Sequence, residues 1–170
     1  MTRHRSPLIL ALDLATQTGW AAGKPCTTPS YGTINLQGQR PGIKFLQLVR
    51  ELNGLIAEYS PVEIAIEEPF VGRKLTGKGL MTLFGFRAAA MLAAENKGIH
   101  VTMTTPASVR KHFLGDGGMK RADAKESVIA QCEAIGWRPQ NDDEADALAL
   151  WDFRAFSINR DHCNIGLFRV

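Results

Sequence analysis

Hydrophobic residues form continuous runs in some parts of the chain and recur every three or four positions in others. Residues 7–14 are rich in Leu and Ile, which is typical of a buried strand. Shorter apolar runs follow at 19–22, 31–36, 62–67 and 99–104, and turn-forming residues separate the first three runs. This pattern predicts five strands, of which the first three, being neighbours along the chain, form an antiparallel meander.

Helical spacing occurs between and after these strands. Apolar residues three and four positions apart predict amphipathic helices at 42–59, 122–135 and 142–156. Residues 80–96 are rich in Ala and Met and apolar around most of the helix, and Pro106 suits the first turn of a short helix ending near residue 113. The order of elements predicts an α/β fold: a mixed central sheet, three antiparallel strands and then parallel strands, flanked by helices.

Polar and glycine-rich stretches separate these elements without marking a domain boundary. Residues 69–79 contain one proline, three glycines and three basic residues, and they predict a basic loop. The glycine cluster at 115–118 predicts a flexible break. We expect a single domain over residues 1–170, with a core at about 7–157 and a loosely attached tail at 158–170.

Length and composition narrow the class of protein. With 170 residues, 45% of them hydrophobic, the chain fits one globular domain and excludes a large two-domain enzyme. Its three cysteines lack C-x-x-C spacing, which argues against a disulfide framework and a cysteine-bound zinc and favours a reducing, cytoplasmic location. Because no uncharged run approaches the length of a membrane span, we expect no membrane association. The net charge of +3 is compatible with a polyanionic partner.

Four carboxylates are the most informative chemical signal. Asp13 and Glu67 end two apolar strands, and Asp143 and Asp146 share one otherwise apolar face of the last predicted helix. A carboxylate in such a place must be paired, hydrogen-bonded or bound to a metal. If the four converge, a divalent cation with a preference for oxygen, Mg²⁺ or Mn²⁺, would relieve their repulsion. The simpler alternatives are that Asp143 caps its helix, that Asp146 pairs with Arg154 or another base, and that Glu67 is a solvated strand end.

Three short motifs carry these acids in order along the chain. They are ILALD at 9–13, followed by Thr16 and Thr18-Gly19, then AIEEPF at 65–70, and DEADALA at 143–149. Over about residues 8–151 this arrangement resembles the RuvC-type Holliday-junction resolvases.

The resemblance implies an RNase H-like fold and a Mg²⁺-dependent endonuclease that resolves four-way DNA junctions by paired nicks. It also implies a homodimer, for which the apolar helix at 80–96 is a candidate surface. By this resemblance the catalytic, metal-binding residues are Asp13, Glu67, Asp143 and Asp146, and two-metal hydrolysis predicts two Mg²⁺ ions per site, with Mn²⁺ as a substitute.

Two departures from the family pattern affect the expected site. Leu14-Ala15 stands where the family has Pro-Gly, and Glu68 replaces a neutral residue after the family's glutamate. Neighbouring residues of a strand face opposite ways, so only one of Glu67 and Glu68 is expected in the site, and motif alignment favours Glu67. The departures indicate a divergent branch of the family, for which a phage origin is one interpretation.

Basic and aromatic residues complete the candidate DNA site. The resemblance implies that a lysine assists at the scissile phosphate; Lys120 is our first choice and Lys125 the alternative. The resemblance also implies an aromatic residue near the junction centre, Phe70, whose ring is expected to stack on an unpaired base. The expected DNA-binding residues are Phe70, Arg73, Lys74, Lys78, Arg121 and Lys125.

Other functions remain open at this point. A nuclease of the same fold could act on other branched DNA or on RNA:DNA hybrids. The segment 13–19 also resembles a phosphate loop of actin-like kinases, but 170 residues leave no room for their second domain. A DNA-binding module without catalysis is disfavoured because four unneutralised acids would repel phosphate.

Overall fold

One mixed sheet lies at the centre of the computed structural model, which describes residues 7–69, 76–119 and 121–160. Within those residues it has five strands: β1 (Ile9–Asp13), β2 (Gln17–Gly23), β3 (Ser30–Asn35), β4 (Glu63–Glu67) and β5 (His100–Thr104). Their order across the sheet is β3-β2-β1-β4-β5. The first three strands are antiparallel, and β4 runs parallel to both β1 and β5. The predicted mixed sheet is therefore confirmed.

Helices cover both faces of this sheet. The described residues form α1 (Pro41–Tyr59), α2 (Gly77–Glu95), α3 (Pro106–Leu114), α4 (Arg121–Ile135) and α5 (Asp142–Ile158). Alternate residues of β1 face opposite sides, with Leu10 and Leu12 in the core that includes α1 and α2 and Ile9 and Ala11 in the core that includes α3, α4 and α5. No helix within the described ranges is long and apolar enough to cross a membrane.

The start of α2 corrects one prediction. The sequence pattern predicts a loop at 69–79, whereas the helix already begins at Gly77. Thr76 explains the difference, because its side-chain hydroxyl accepts a hydrogen bond from the Gly79 amide at 3.2 Å and so caps a glycine-containing first turn. Lys78 therefore lies on a helix and not in a loop.

The last helix also differs slightly from its predicted limits. The structure extends α5 to Ile158, two residues beyond the predicted end at 156. Residues 161–170, most of the predicted tail, lie outside the described part of the chain.

Candidate active site

Two acidic residues meet at one edge of the sheet. Asp13 ends β1 and Glu67 ends β4, and these strands are parallel neighbours, so their carboxyl ends reach the same edge. The pairing of β1 with β4 stops at Leu12 and Ile66, one residue before the two acids. A cavity of about 360 Å³ opens there, and both acids line it.

The first turn of α5 brings the other two acids to the same cavity. Gly19 of β2 lies opposite Asp13 in the sheet register. A Cβ atom at Gly19 would lie 1.8 Å from the carbonyl oxygen of Asp143 and 2.3 Å from its carbonyl carbon. Only a residue without a side chain therefore allows this approach, which places Asp143 and Asp146 beside Asp13 at the cavity.

A hydrogen-bonded cap fixes the N-terminus of α5. The N-cap is Asn141, whose Oδ1 accepts from the Glu144 amide at 2.9 Å, while its Nδ2 donates to Thr33 Oγ1 at 3.0 Å. Buried Glu144 accepts from Thr33 Oγ1 at 2.9 Å and from the Gln140 amide at 2.8 Å. This network ties α5 to β3, and it shows that the simpler assignment of Asp143 as the helix cap is wrong.

The other end of α5 is anchored by separate contacts. Arg154 forms an ion pair with Glu63 of β4. The indole Nε1 of Trp151 donates to the Gly23 carbonyl at 3.2 Å. Since α5 is held at both ends against three different strands, Asp143 and Asp146 lie on a rigid element.

The turn between β1 and β2 shows how the chain accommodates Leu14-Ala15 in place of Pro-Gly. The buried Thr18 hydroxyl donates to the Ala15 carbonyl at 2.7 Å. The Leu36 amide donates to the Thr16 carbonyl at 2.9 Å. These bonds close the turn directly after Asp13, so the departure from the family motif leaves Asp13 at the edge of the cavity.

Electrostatics confirm that the acids interact. Burial, followed by the negative charges of Asp146, Glu67 and Asp143, raises the pKa of Asp13 to about 8, against an opposing effect of Arg87. Burial also raises the pKa of Asp143. The four carboxylates therefore resist being ionised together, which is the electrostatic condition that a bound cation relieves.

Three cationic side chains among the described residues line the cavity, each from a different helix. Arg87 comes from α2, Arg110 from α3 and Lys125 from α4. Lys125 forms an ion pair with Asp142. The Nε of Arg110 is buried and has no hydrogen-bond partner among the described residues. Arg87 and Arg110 are absent from the residues predicted from sequence; a single arginine within the Ala-rich stretch of α2 is the signal that could have found Arg87.

The remaining predicted residues have different outcomes. Glu68 lines the cavity but is exposed, whereas Glu67 is only partly exposed and acts on the pKa of Asp13. This favours Glu67 over Glu68. Exposed Lys78 is not among the described residues that line the cavity. The predicted residues Phe70, Arg73, Lys74 and Lys120, and the side chain of Arg121, lie outside the described part of the structure.

The donor chemistry of the cavity fits a hard divalent cation. Carboxylate oxygens are preferred ligands of Mg²⁺ and Mn²⁺, and four carboxylates share this cavity. Within the described ranges, however, no three His, Cys, Asp or Glu side chains lie close enough together to form a finished metal site. The described acids thus line one cavity without forming a complete ligand set.

The chain matches a known protein family and solved structures. The mixed sheet, flanked by helices, has the RNase H-like fold that the sequence predicts. The chain belongs to the RuvC family, because the family model "Crossover junction endodeoxyribonuclease RuvC" matches residues 16–151. A protein of that name from Syntrophomonas wolfei is 31% identical over 122 residues, which cover 71% of this chain and 69% of the relative.

Solved structures agree on the fold. The structure of Thermus thermophilus RuvC superposes with a TM-score of 0.73 at 18% identity, covering 91% of this chain and 97% of the Thermus chain. The same Thermus protein in complex with a Holliday junction substrate gives a TM-score of 0.72 at 19% identity, covering 89% and 94% of the two chains.

Proposed function

We propose that this protein is a Mg²⁺-dependent endodeoxyribonuclease that resolves four-way DNA junctions by paired nicks. The observation that carries the proposal is the convergence of Asp13, Glu67, Asp143 and Asp146 on one cavity, in a chain of the RuvC family. The Thermus relative, solved with a Holliday junction substrate, supports the choice of DNA.

The four acids would hold the metal. Two Mg²⁺ ions, or Mn²⁺ in their place, would supply Lewis-acid activation of water and charge neutralisation. Asp13, on whose pKa the other three acids all act, would be one of the ligands. The cap at Asn141 and the ion pair of Arg154 hold α5, and with it Asp143 and Asp146, in place during the reaction.

Cations on the opposite walls would receive the phosphate. The buried Nε–H of Arg110 has no acceptor among the described residues, and a phosphate oxygen could accept its hydrogen bond. Lys125 lines the same cavity from α4. A fixed cation stabilises the charge that develops in the transition state. Arg110 and Lys125 therefore join Lys120 as candidates for this role, while Phe70, Arg73, Lys74, Lys78 and Arg121 remain proposed DNA contacts.

Paired nicks require two active sites, and we propose that two copies of the chain associate through α2. Met81, Phe84, Met91 and Leu92 are exposed on this helix, although they are large and apolar. Their spacing of three, seven and one residues places them along one side of the helix. A two-fold axis at this stripe would give a symmetric dimer, the form that matches a junction with two equivalent strands to cut. The proposed setting is the cytoplasm.

Cleavage of defined substrates tests the proposal. A labelled four-way junction is compared with linear duplex, a flap and an RNA:DNA hybrid, in Mg²⁺, Mn²⁺ or EDTA. Symmetric, metal-dependent nicks in the junction are expected. Preference for the flap or hybrid would keep the metal site and replace the junction as substrate. Junction binding without any cleavage would indicate a DNA-binding module and contradict the catalytic role of the acids.

A further inference from the structure

Arg87 is a buried charged residue among apolar residues of α2. It is 7% exposed, and Phe86, Ala89 and Ala90 beside it are buried apolar residues. An arginine stays charged in a protein, so burying it demands compensating partners. Its position at the cavity, together with Asp13 and Glu67, shows where those partners are.

The guanidinium group makes two directed hydrogen bonds. Its Nε donates to the Glu67 carbonyl at 3.1 Å, and its Nη1 donates to the Leu83 carbonyl, one turn earlier in α2, at 3.0 Å. The β1–β4 ladder ends one residue before Glu67. Arg87 thus ties the Glu67 carbonyl to α2 just beyond the point where β1 stops pairing with β4.

The same group faces the acids. Burial lowers the pKa of Arg87, and the carboxylates of Asp13 and Glu67 oppose that effect because they favour its charged form. In return Arg87 opposes the rise in the pKa of Asp13. The Arg87 side chain therefore hydrogen-bonds to the end of β4 and places a positive charge beside two proposed metal ligands, Asp13 and Glu67.

We infer that Arg87 is a positioning residue of the metal centre, which holds Glu67 in register with Asp13 by fixing the last carbonyl of β4 to α2. The inference rests on the proposed metal-dependent nuclease function. It also identifies a mechanical connection, since Arg87 lies on the same helix as the exposed apolar stripe. A shift of α2 would be transmitted to Glu67 through this side chain.

The substitution Arg87→Lys tests geometry at constant charge. A lysine retains the positive charge but lacks the planar fork that reaches two carbonyls at once. We expect the affinity for Mg²⁺ to fall about tenfold, as for other substitutions of residues that orient a metal ligand. Metal-induced thermal stabilisation measures this affinity. Single-turnover junction cleavage should fall about 100-fold. Junction affinity in EDTA should stay within about twofold. Arg50→Lys, at an exposed arginine of α1, is the matched control and should behave as the wild type.

A spectroscopic measurement on the wild type covers the case in which Arg87→Lys does not fold. The Nε–H resonance of Arg87 should be protected from solvent exchange, and it should shift during a Mg²⁺ titration with the same midpoint as the Glu67 amide. A rapidly exchanging resonance, or one that Mg²⁺ leaves unchanged, would overturn the inference.

The outcomes separate the two proposals. If the wild type responds to Mg²⁺ and cleaves junctions while Arg87→Lys loses only thermal stability, Arg87 is merely structural and this inference fails alone. If the wild type neither responds to Mg²⁺ nor cleaves any substrate, the proposed function fails and the inference fails with it.

Discussion

Replacing Gly19 by alanine tests whether the active site depends on the close contact between β2 and α5. The added Cβ would lie 1.8 Å from the Asp143 carbonyl oxygen, whereas ordinary contact begins at 3.4 Å. The obstacle is backbone on both sides, so no flexible side chain can move away. The first turn of α5 must therefore retreat by roughly 1.6 Å from β2.

The expected effect on activity exceeds the effect on stability. Overpacking of this kind costs about 1–3 kcal/mol, which lowers the melting temperature of a chain of this size by roughly 3–10 °C. A displacement of about 1 Å at a reacting centre costs about 100-fold in rate. Since Asp143 and Asp146 both move with α5, we expect cleavage to fall at least 100-fold and Mg²⁺ affinity to fall about tenfold.

The assay compares single-turnover cleavage and Mg²⁺-dependent thermal stabilisation in Gly19→Ala and in Gly54→Ala. Gly54 is an exposed residue of α1 with nothing within 4 Å of an added Cβ, so its replacement should leave cleavage unchanged and stabilise the helix. A Gly19→Ala protein that is folded and cleaves junctions at the wild-type rate would refute the reasoning that this contact positions the acids.

Four other predictions follow, three from the acids of the site and one from the exposed stripe of α2. Asp13→Asn should abolish cleavage and preserve junction binding, or strengthen it where Asp13 is ionised, because it then removes a negative charge that faces phosphate. Cleavage at the wild-type rate, measured on labelled junctions, would contradict the assignment. Because the pKa of Asp13 is raised to about 8, Mg²⁺ must displace a proton from it at lower pH. Calorimetry should therefore show proton release and a Mg²⁺ affinity that rises by up to about tenfold per pH unit from pH 6 to 8. An affinity that does not change with pH would exclude Asp13 as a ligand. The stability of metal-free protein should correspondingly fall as pH rises from the ordinary value of 3.8 towards 8. Phe84→Glu should yield monomers in light scattering, since it places a charge on the exposed stripe of α2; an unchanged dimer would locate the interface elsewhere.

The acids at the sheet edge could be predicted from sequence because local pattern is sufficient to place them. Asp13 and Glu67 follow continuous apolar runs, and parallel strands present their carboxyl ends together. Asp143 and Asp146 share a helix face by their spacing alone. The strand and helix periods thus indicate which of these acids can meet at one edge of the sheet.

The cations could not be placed in the same way. In α2 both the buried and the exposed faces are apolar, with Phe86 and Ala90 inside and Phe84 and Met91 outside. Hydrophobic periodicity therefore does not indicate which way Arg87 points. The contact between Gly19 and Asp143 joins residues distant in sequence, so it too depends on packing that no local pattern reports.

The charges around the cavity explain how acids and phosphate can share it. Its described lining contains five acids and three bases: Asp13, Glu67, Glu68, Asp143 and Asp146 against Arg87, Arg110 and Lys125. The balance is −2 with every group ionised and −1 with Asp13 protonated, the form that a pKa raised to about 8 favours at neutral pH. One divalent cation that displaces the proton brings the lining to zero, and a second brings it to +2. We therefore expect the metal-free cavity to repel a phosphate and the doubly loaded cavity to attract one. Metal loading and phosphate binding at the proposed cleavage point should then be coupled, while proposed contacts away from the cavity would bind a junction without metal.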